Sequence, residues 1–221
     1  MDYLNHTLRW FAELLWPSRC AACSTLGAVL CGACLATLTP LNERGRTQSA
    51  YLDSLTAASP MRGTMEILIY ALKYRGMQQL AIPLGDWMAG VIGLRRDTAR
   101  MFGANPLIVP VPLHPSRLRE RDYNQAALLA RRLAIVSMGT IDTMALARVR
   151  KTHSQVRTHS RVERLDNMRG AFAVVHPETV TDRDIVLVDD VCTTGATLED
   201  CARALKESGA RLVSAIVLAR G

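Results

Sequence analysis

Residues 185–205 read IVLVDDVCTTGATLEDCARAL, and this stretch decides the fold. Ile185, Val186, Leu187 and Val188 form a continuous apolar run rich in β-branched side chains, which predicts a strand covered on both faces. The run ends in two adjacent carboxylates, Asp189 and Asp190. A loop of small and hydroxyl residues follows, Cys192 to Thr197. The apolar spacing of Leu198, Cys201, Ala202 and Leu205 then predicts a helix over 196–208, stopped by Gly209.

A strand, a tight loop and a helix start in this order can hold a phosphorylated ligand. The first turn of a helix offers unpaired N–H groups and the positive end of the peptide dipoles. Gly195 lets the backbone approach a phosphate closely, and Thr193, Thr194 and Thr197 add hydroxyl donors. Two carboxylates at the end of a strand can hydrogen-bond a sugar diol or hold Mg²⁺ near it. In open α/β sheets, ligands bind at those strand ends. The loop lacks the Gly-Lys-Ser/Thr of a Walker sequence. The plainer alternative is a strand–turn–helix whose Asp and Thr residues serve only as caps.

Outward from this stretch, strands and helices alternate. Residues 107–112 (LIVPVP), 141–149, 171–175 and 212–218 read as strands, with Pro110 and Pro112 ending the first. Residues 63–74, 80–94 and 124–137 read as helices, with Gly76 stopping the first and Ala127, Leu128, Ala130 and Leu133 turned inward on the third. The expected fold is α/β, a parallel-rich sheet with helices on both faces. Residues 1–50 would be an N-terminal helix and cysteine module joined by a polar linker over 39–50, and residues 51–221 the main domain, with a hood over 51–105 and a core over 106–221. The apolar spacing of Leu4, Leu8, Phe11 and Leu15 predicts the short amphipathic N-terminal helix.

The chain of 221 residues carries a net charge of +7. The excess is concentrated in two places. Residues 117–132 contain Arg117, Arg119, Arg121, Arg131 and Arg132, and residues 148–169 contain Arg148, Arg150, Lys151, Arg157, Arg161, Arg164 and Arg169. Such clusters suit a polyanion, either pyrophosphate or nucleic acid. The first follows an early strand, where His114 and Asn124 could join the arginines, or it is a solvated basic turn. The second is poor in large apolar residues and reads as a lid, or as an exposed basic loop or helix. No run of about 18 apolar residues occurs, so no transmembrane helix is expected. Tyr51, Tyr70, Tyr74 and Trp87 could offer a stacking surface for bases, or be ordinary core aromatics.

Cys20-x-x-Cys23 and Cys31-x-x-Cys34 are separated by seven residues. Two such knuckles can place four thiolates around Zn²⁺ in a closed structural site. Iron–sulfur ligation or two redox pairs are the alternatives. The start of the chain is a poor secretion signal, so a reducing cytoplasm is the expected compartment.

The loop from Asp189 to Thr197 resembles the phosphoribosyl-pyrophosphate (PRPP) signature of type I phosphoribosyltransferases. That resemblance implies that Asp189 and Asp190 face the ribose hydroxyls and act at the catalytic centre. It also implies that Cys192, Thr193, Thr194, Gly195, Ala196 and Thr197 hold the 5-phosphate. Taken with P-x-P-L-H at 110–114, ALKYRG at 71–76, R-x-R-x-T-x-x-Q from Arg148 and the four-cysteine module, nearly the whole chain is similar to the ComF family. The resemblance implies a phosphoribosyltransferase-like fold with PRPP and Mg²⁺ as ligands. Arg117, Arg119, Arg121, Arg150, Lys151 and Arg161 would lie about the pyrophosphate, with Thr152, Gln155 and Asn167 in the same lid. It further implies a role in natural competence (DNA uptake and transformation) or in nucleotide salvage. Turnover, PRPP sensing without turnover, and single-stranded DNA binding beside a competence helicase are separate readings of the same residues.

Overall fold

The computed structural model describes residues 17–41, 49–93, 106–137, 139–150 and 170–221. The N-terminal helix expected over residues 1–16 lies outside them. In chain order the elements are α1 (Gly32–Ala36), β1 (Ser54–Pro60), α2 (Thr64–Tyr74), a 3₁₀ turn (Gln78–Leu80) and α3 (Ala81–Gly93). Then follow β2 (Leu107–Pro110), α4 (Pro115–Arg121), α5 (Gln125–Ser137), β3 (Thr140–Ile141) and β4 (Leu146–Arg148). The chain ends with β5 (Phe172–Val174), β6 (Asp184–Cys192), α6 (Ala196–Glu207) and β7 (Leu212–Arg220).

Five strands form a parallel sheet in the order β1-β7-β6-β2-β3, and β4 and β5 form a separate antiparallel pair. The central strands β6 and β7 are almost entirely buried. Because successive side chains point to opposite faces, β6 feeds two cores. Val186 and Val188 pack with Leu68 and Leu72 of α2, Leu84 and Met88 of α3, and Leu129 and Leu133 of α5. Ile185 and Leu187 pack with Leu198, Cys201 and Leu205 of α6, Leu146 of β4 and Phe172 of β5. This is the sheet with helices on both faces that the alternation of strands and helices predicts.

Several details differ from the sequence reading, each for a local reason. The sequence pattern does not signal β1: its sequence SLTAASP has one large apolar residue, Leu55, and its burial comes from pairing with β7 at the sheet edge. Pro60, at its last position, is tolerated on an edge strand. The segment expected to form a hood thus supplies β1 to the main sheet and α2 and α3 to one of its faces. The single strand expected over 141–149 is broken, because Asp142 accepts a bond from the backbone N–H of Met144 (2.8 Å) and turns the chain. On α5, Leu129 is buried and Leu128 only partly so. β6 runs on to Cys192 through its pairing of Val191 with Ala219 and Cys192 with Arg220.

The cysteine module is packed onto the α2–α3 face. Cys20, Ala21, Leu30 and Leu38 are buried in the same cluster as Leu68 and Leu84. Thr37 and Thr64 share a hydroxyl bond of 2.8 Å, and Arg75 donates to the Ala21 carbonyl at 3.4 Å.

Candidate functional site

The C-terminal ends of β6 and β2 meet where the acid pair lies. The strands pair up to Pro110 opposite Val188, and the N–H of Val111 donates to the Val188 carbonyl at 2.9 Å. The chain leaving β2 therefore runs beside Asp189 and Asp190, and α4 begins at Pro115.

The two carboxylates diverge, as neighbours in a strand must. Asp190 is buried on the α2 face, where its Oδ1 lies 2.8 Å from Nζ of Lys73. Asp189 lies on the other face, within the electrostatic reach of Arg148 and Cys201, and its Oδ1 accepts the N–H of Asp190 at 2.8 Å. Burial, and then the charge of Asp190, push the carboxyl of Asp189 up to about 7, while Lys73 and Arg148 pull against the shift. Burial lowers the guanidinium of Arg148, which lies over the Phe172 ring at 5.4 Å.

A testable pH dependence follows. An acid whose pKa rises from 3.8 to about 7 in the fold binds its proton more tightly there than in the unfolded chain. The unfolded state then holds fewer protons within that window, so stability declines as pH rises through it. Asp189→Asn is expected to flatten this decline and to melt above the parent protein at about pH 8. A melting series against pH checks both; an unaltered profile would exclude Asp189 as its source.

The loop after the acids is shaped for an anion. Gly195 is the N-cap of α6, with φ of 82°, a left-handed conformation in which a side chain would be strained. Gly195 has no side chain to cap the helix, and the Ala196 N–H reaches Thr194 Oγ1 only at 3.5 Å. Thr193 is exposed, and Thr194 and Thr197 are half-buried along the same edge. Cys192 and Ala196 are buried and contribute backbone. Burial raises the thiol of Cys201 well above its ordinary value, which suits packing.

The basic residues divide. Arg117 is paired with Glu120 at 3.0 Å, Arg119 is exposed, and Arg121 turns to Tyr74 of α2, donating to its hydroxyl at 3.3 Å. His114 and Asn124 have structural tasks. The His114 ring accepts the N–H of Ser116 at 3.2 Å and caps α4, and Asn124 donates to the Val111 carbonyl at 3.0 Å and accepts from Ala126 at 3.0 Å. Arg150 is exposed, and its N–H reaches the Ala171 carbonyl at 3.4 Å. Lys151, Thr152, Gln155, Arg161 and Asn167 lie outside the described residues. Among the described residues Lys73 and Arg148 are the cations beside the acid pair; the sequence marks Arg148 only as part of a basic cluster and Lys73 not as a site residue. The signals for them are the ALKYRG stretch for Lys73, and the basic cluster and the first arginine of R-x-R for Arg148.

The four cysteine sulfurs lie within 4.8 Å of one another, with Cys23 and Cys31 at 3.6 Å. Zn–S bonds of ~2.3 Å in a tetrahedron place sulfurs about 3.8 Å apart, so the four residues fit Zn²⁺. The N–H of Cys31 points at Cys20 Sγ (3.4 Å) and that of Cys34 at Cys31 Sγ (3.5 Å). Burial opposes ionisation of Cys20, but backbone hydrogen bonds outweigh it and bring the thiol down to about 6. Hydrogen bonds from Cys23 and Cys31 push Cys34 up to about 12.

A parallel sheet with this loop after its central strand defines a protein of the phosphoribosyltransferase fold. In agreement, the sequence pattern of the phosphoribosyl transferase domain matches residues 124–221. The DNA utilization protein YhgH of Escherichia coli K12 is 32% identical over 203 residues, covering 91% of this chain and 82% of that protein. Competence protein F of Haemophilus influenzae is 36% identical over 118 residues, covering 51% of this chain and 49% of that protein. Competence protein ComFC of Bacillus subtilis is 34% identical over 115 residues, 52% of this chain and 44% of that protein. The chain belongs to the ComF family. Among the described residues no helix is long and apolar enough to cross a membrane.

Proposed function

We propose that the chain binds PRPP with Mg²⁺ at the end of β6 and takes part in the handling of incoming DNA or in nucleotide salvage. The observation that carries the reading is the start of α6 behind a left-handed Gly195 N-cap, directly after two carboxylates at the end of a central strand. The N–H groups of that turn would take the 5-phosphate, and Asp189 and Asp190 the ribose hydroxyls. Mg²⁺ would enter with the diphosphate, whose oxygens suit a hard cation. Arg117, Arg119, Arg121, Arg150, Lys151 and Arg161 would balance the leaving pyrophosphate. Transfer to a nitrogen acceptor would break the bond from C1 to the pyrophosphate oxygen, form a bond from C1 to nitrogen, and release the proton of the nitrogen. The relatives named for competence and for DNA utilization support the cellular setting, and Zn²⁺ in the cysteine module a structural role. The reducing conditions that keep four thiols available accord with the cytoplasm.

Calorimetry with PRPP and Mg²⁺ tests the reading. Binding by the parent protein and its loss in Asp190→Asn, with the variant still folded at the temperature of the titration, is the expected result. A folded, zinc-loaded parent protein that binds no PRPP would overturn it.

A further inference from the structure

Asp190 is held by a lysine from another layer of the fold. Lys73 lies in the last turn of α2, and its Nζ is 2.8 Å from Asp190 Oδ1. Only 19% of the lysine side chain and 8% of the carboxylate's are exposed. Ordering a long lysine side chain costs conformational entropy, which its surroundings must offset. Two contacts fix the end of α2 on either side of Lys73. The Tyr123 hydroxyl, on a buried ring, donates to the carbonyl of Leu72, one of the last carbonyls of the helix, which lack an intrahelical donor. The Arg121 guanidinium lies over the Tyr74 ring at 4.9 Å and donates to its hydroxyl at 3.3 Å. Both anchors come from the segment that leads from β2 through α4 to α5. The side chain of Leu72 is buried in the core that holds Val188, two residues before Asp190.

The ammonium does two things for the acid. It supplies the opposite charge that a buried carboxylate needs, since an unpaired buried charge is strongly unfavourable. It also engages Oδ1, which fixes the plane of the carboxylate and leaves Oδ2 as an acceptor. We infer that Lys73 is a positioning residue that orients Asp190 to receive a ribose hydroxyl, without touching the ligand itself. The inference rests on the sugar reading of the acid pair given above. An ammonium that served the pyrophosphate instead would have to leave Asp190 buried without its partner, which the same charge cost opposes.

Calorimetry of the full chain with Mg²⁺ and three probes, PRPP, ribose 5-phosphate and pyrophosphate, tests the inference. Lys73→Met should weaken PRPP and ribose 5-phosphate about tenfold or more and leave pyrophosphate within about twofold of the parent. Lys73→Arg should recover most of the loss, because the charge remains. Tyr123→Phe keeps the ring but frees the Leu72 carbonyl, and should move the two sugar ligands in the same direction by about threefold. A merely structural role would weaken all three probes together, and that outcome would overturn the inference. So would an unchanged affinity for ribose 5-phosphate in Lys73→Met. If that variant does not fold at the temperature of the titration, Tyr123→Phe decides alone, and unaltered sugar binding there overturns the inference. A parent that binds PRPP while its variants lose nothing defeats this inference only. A parent that binds neither PRPP nor ribose 5-phosphate defeats the reading of the site and this inference with it.

Discussion

Replacing Asp200 with alanine is expected to destabilise the protein by about 3–5 kcal/mol, the range for removing one partner of a buried charged network. Asp200 is 4% exposed on the inner face of α6. Its carboxylate accepts the N–H groups of Gly170 (2.8 Å), Ala171 (2.8 Å) and Phe172 (3.1 Å), and the Nε of Arg203 at 2.9 Å. Alanine would leave the two buried N–H groups of Ala171 and Phe172 without their acceptor, at a desolvation cost of about 1–3 kcal/mol each, and would take the Nε partner from Arg203, which keeps Glu207. Asn would restore one acceptor oxygen but point an amide N–H₂ at donors, so it should recover only part of the loss. Urea denaturation of the three proteins checks the order. Because Gly170–Phe172 leads into β5, limited proteolysis should cut first near residue 170 in the alanine variant. A variant as stable as the parent would show that this network contributes little.

The second large effect is expected at the cysteine module. Cys31→Ser removes the sulfur 3.6 Å from that of Cys23 and the acceptor for the N–H of Cys34. If the four thiolates hold Zn²⁺, the change should release the metal. A structural zinc site supplies about 10–16 kcal/mol of apparent binding energy in small modules. Part of that loss would pass to the main domain, because Cys20, Ala21, Leu30 and Leu38 share a core with α2 and α3. Metal analysis should find about one zinc per chain in the parent and much less in the variant. The variant should melt several degrees lower, and a strong chelator should reproduce this in the parent. Full metal content and an unchanged melting temperature in Cys31→Ser would exclude the ligand set.

Much of the fold was legible because its centre is chemically extreme. Ile185–Val188 must be covered on both faces, and Leu198, Cys201, Ala202 and Leu205 must share one face of a helix; all eight residues are buried. The cysteine spacing was equally plain, since two knuckles at that separation have few other uses. β1 was not legible, because Ala57, Ala58 and Ser59 owe their burial to a neighbour far away in sequence. The same holds for Lys73 and Arg148. Nothing about a lysine near the end of a helix says which carboxylate it will meet. Arg117 and Arg121 illustrate the converse: a run of arginines gives the charge, but the fold alone sends one to Glu120 and the other to Tyr74.

The divergence of the two acids has a mechanical consequence. Asp190 is fastened through Lys73 to the layer that carries the cysteine module, and Asp189 faces the layer of α6 and Arg148. Those layers otherwise communicate through the sheet between them. A ligand that grips both carboxylates would act as a rivet through the sheet, stiffening both sides from one point. Its arrival would then be felt as slower amide exchange around Leu30 and Leu38 on one side and around Phe172 on the other.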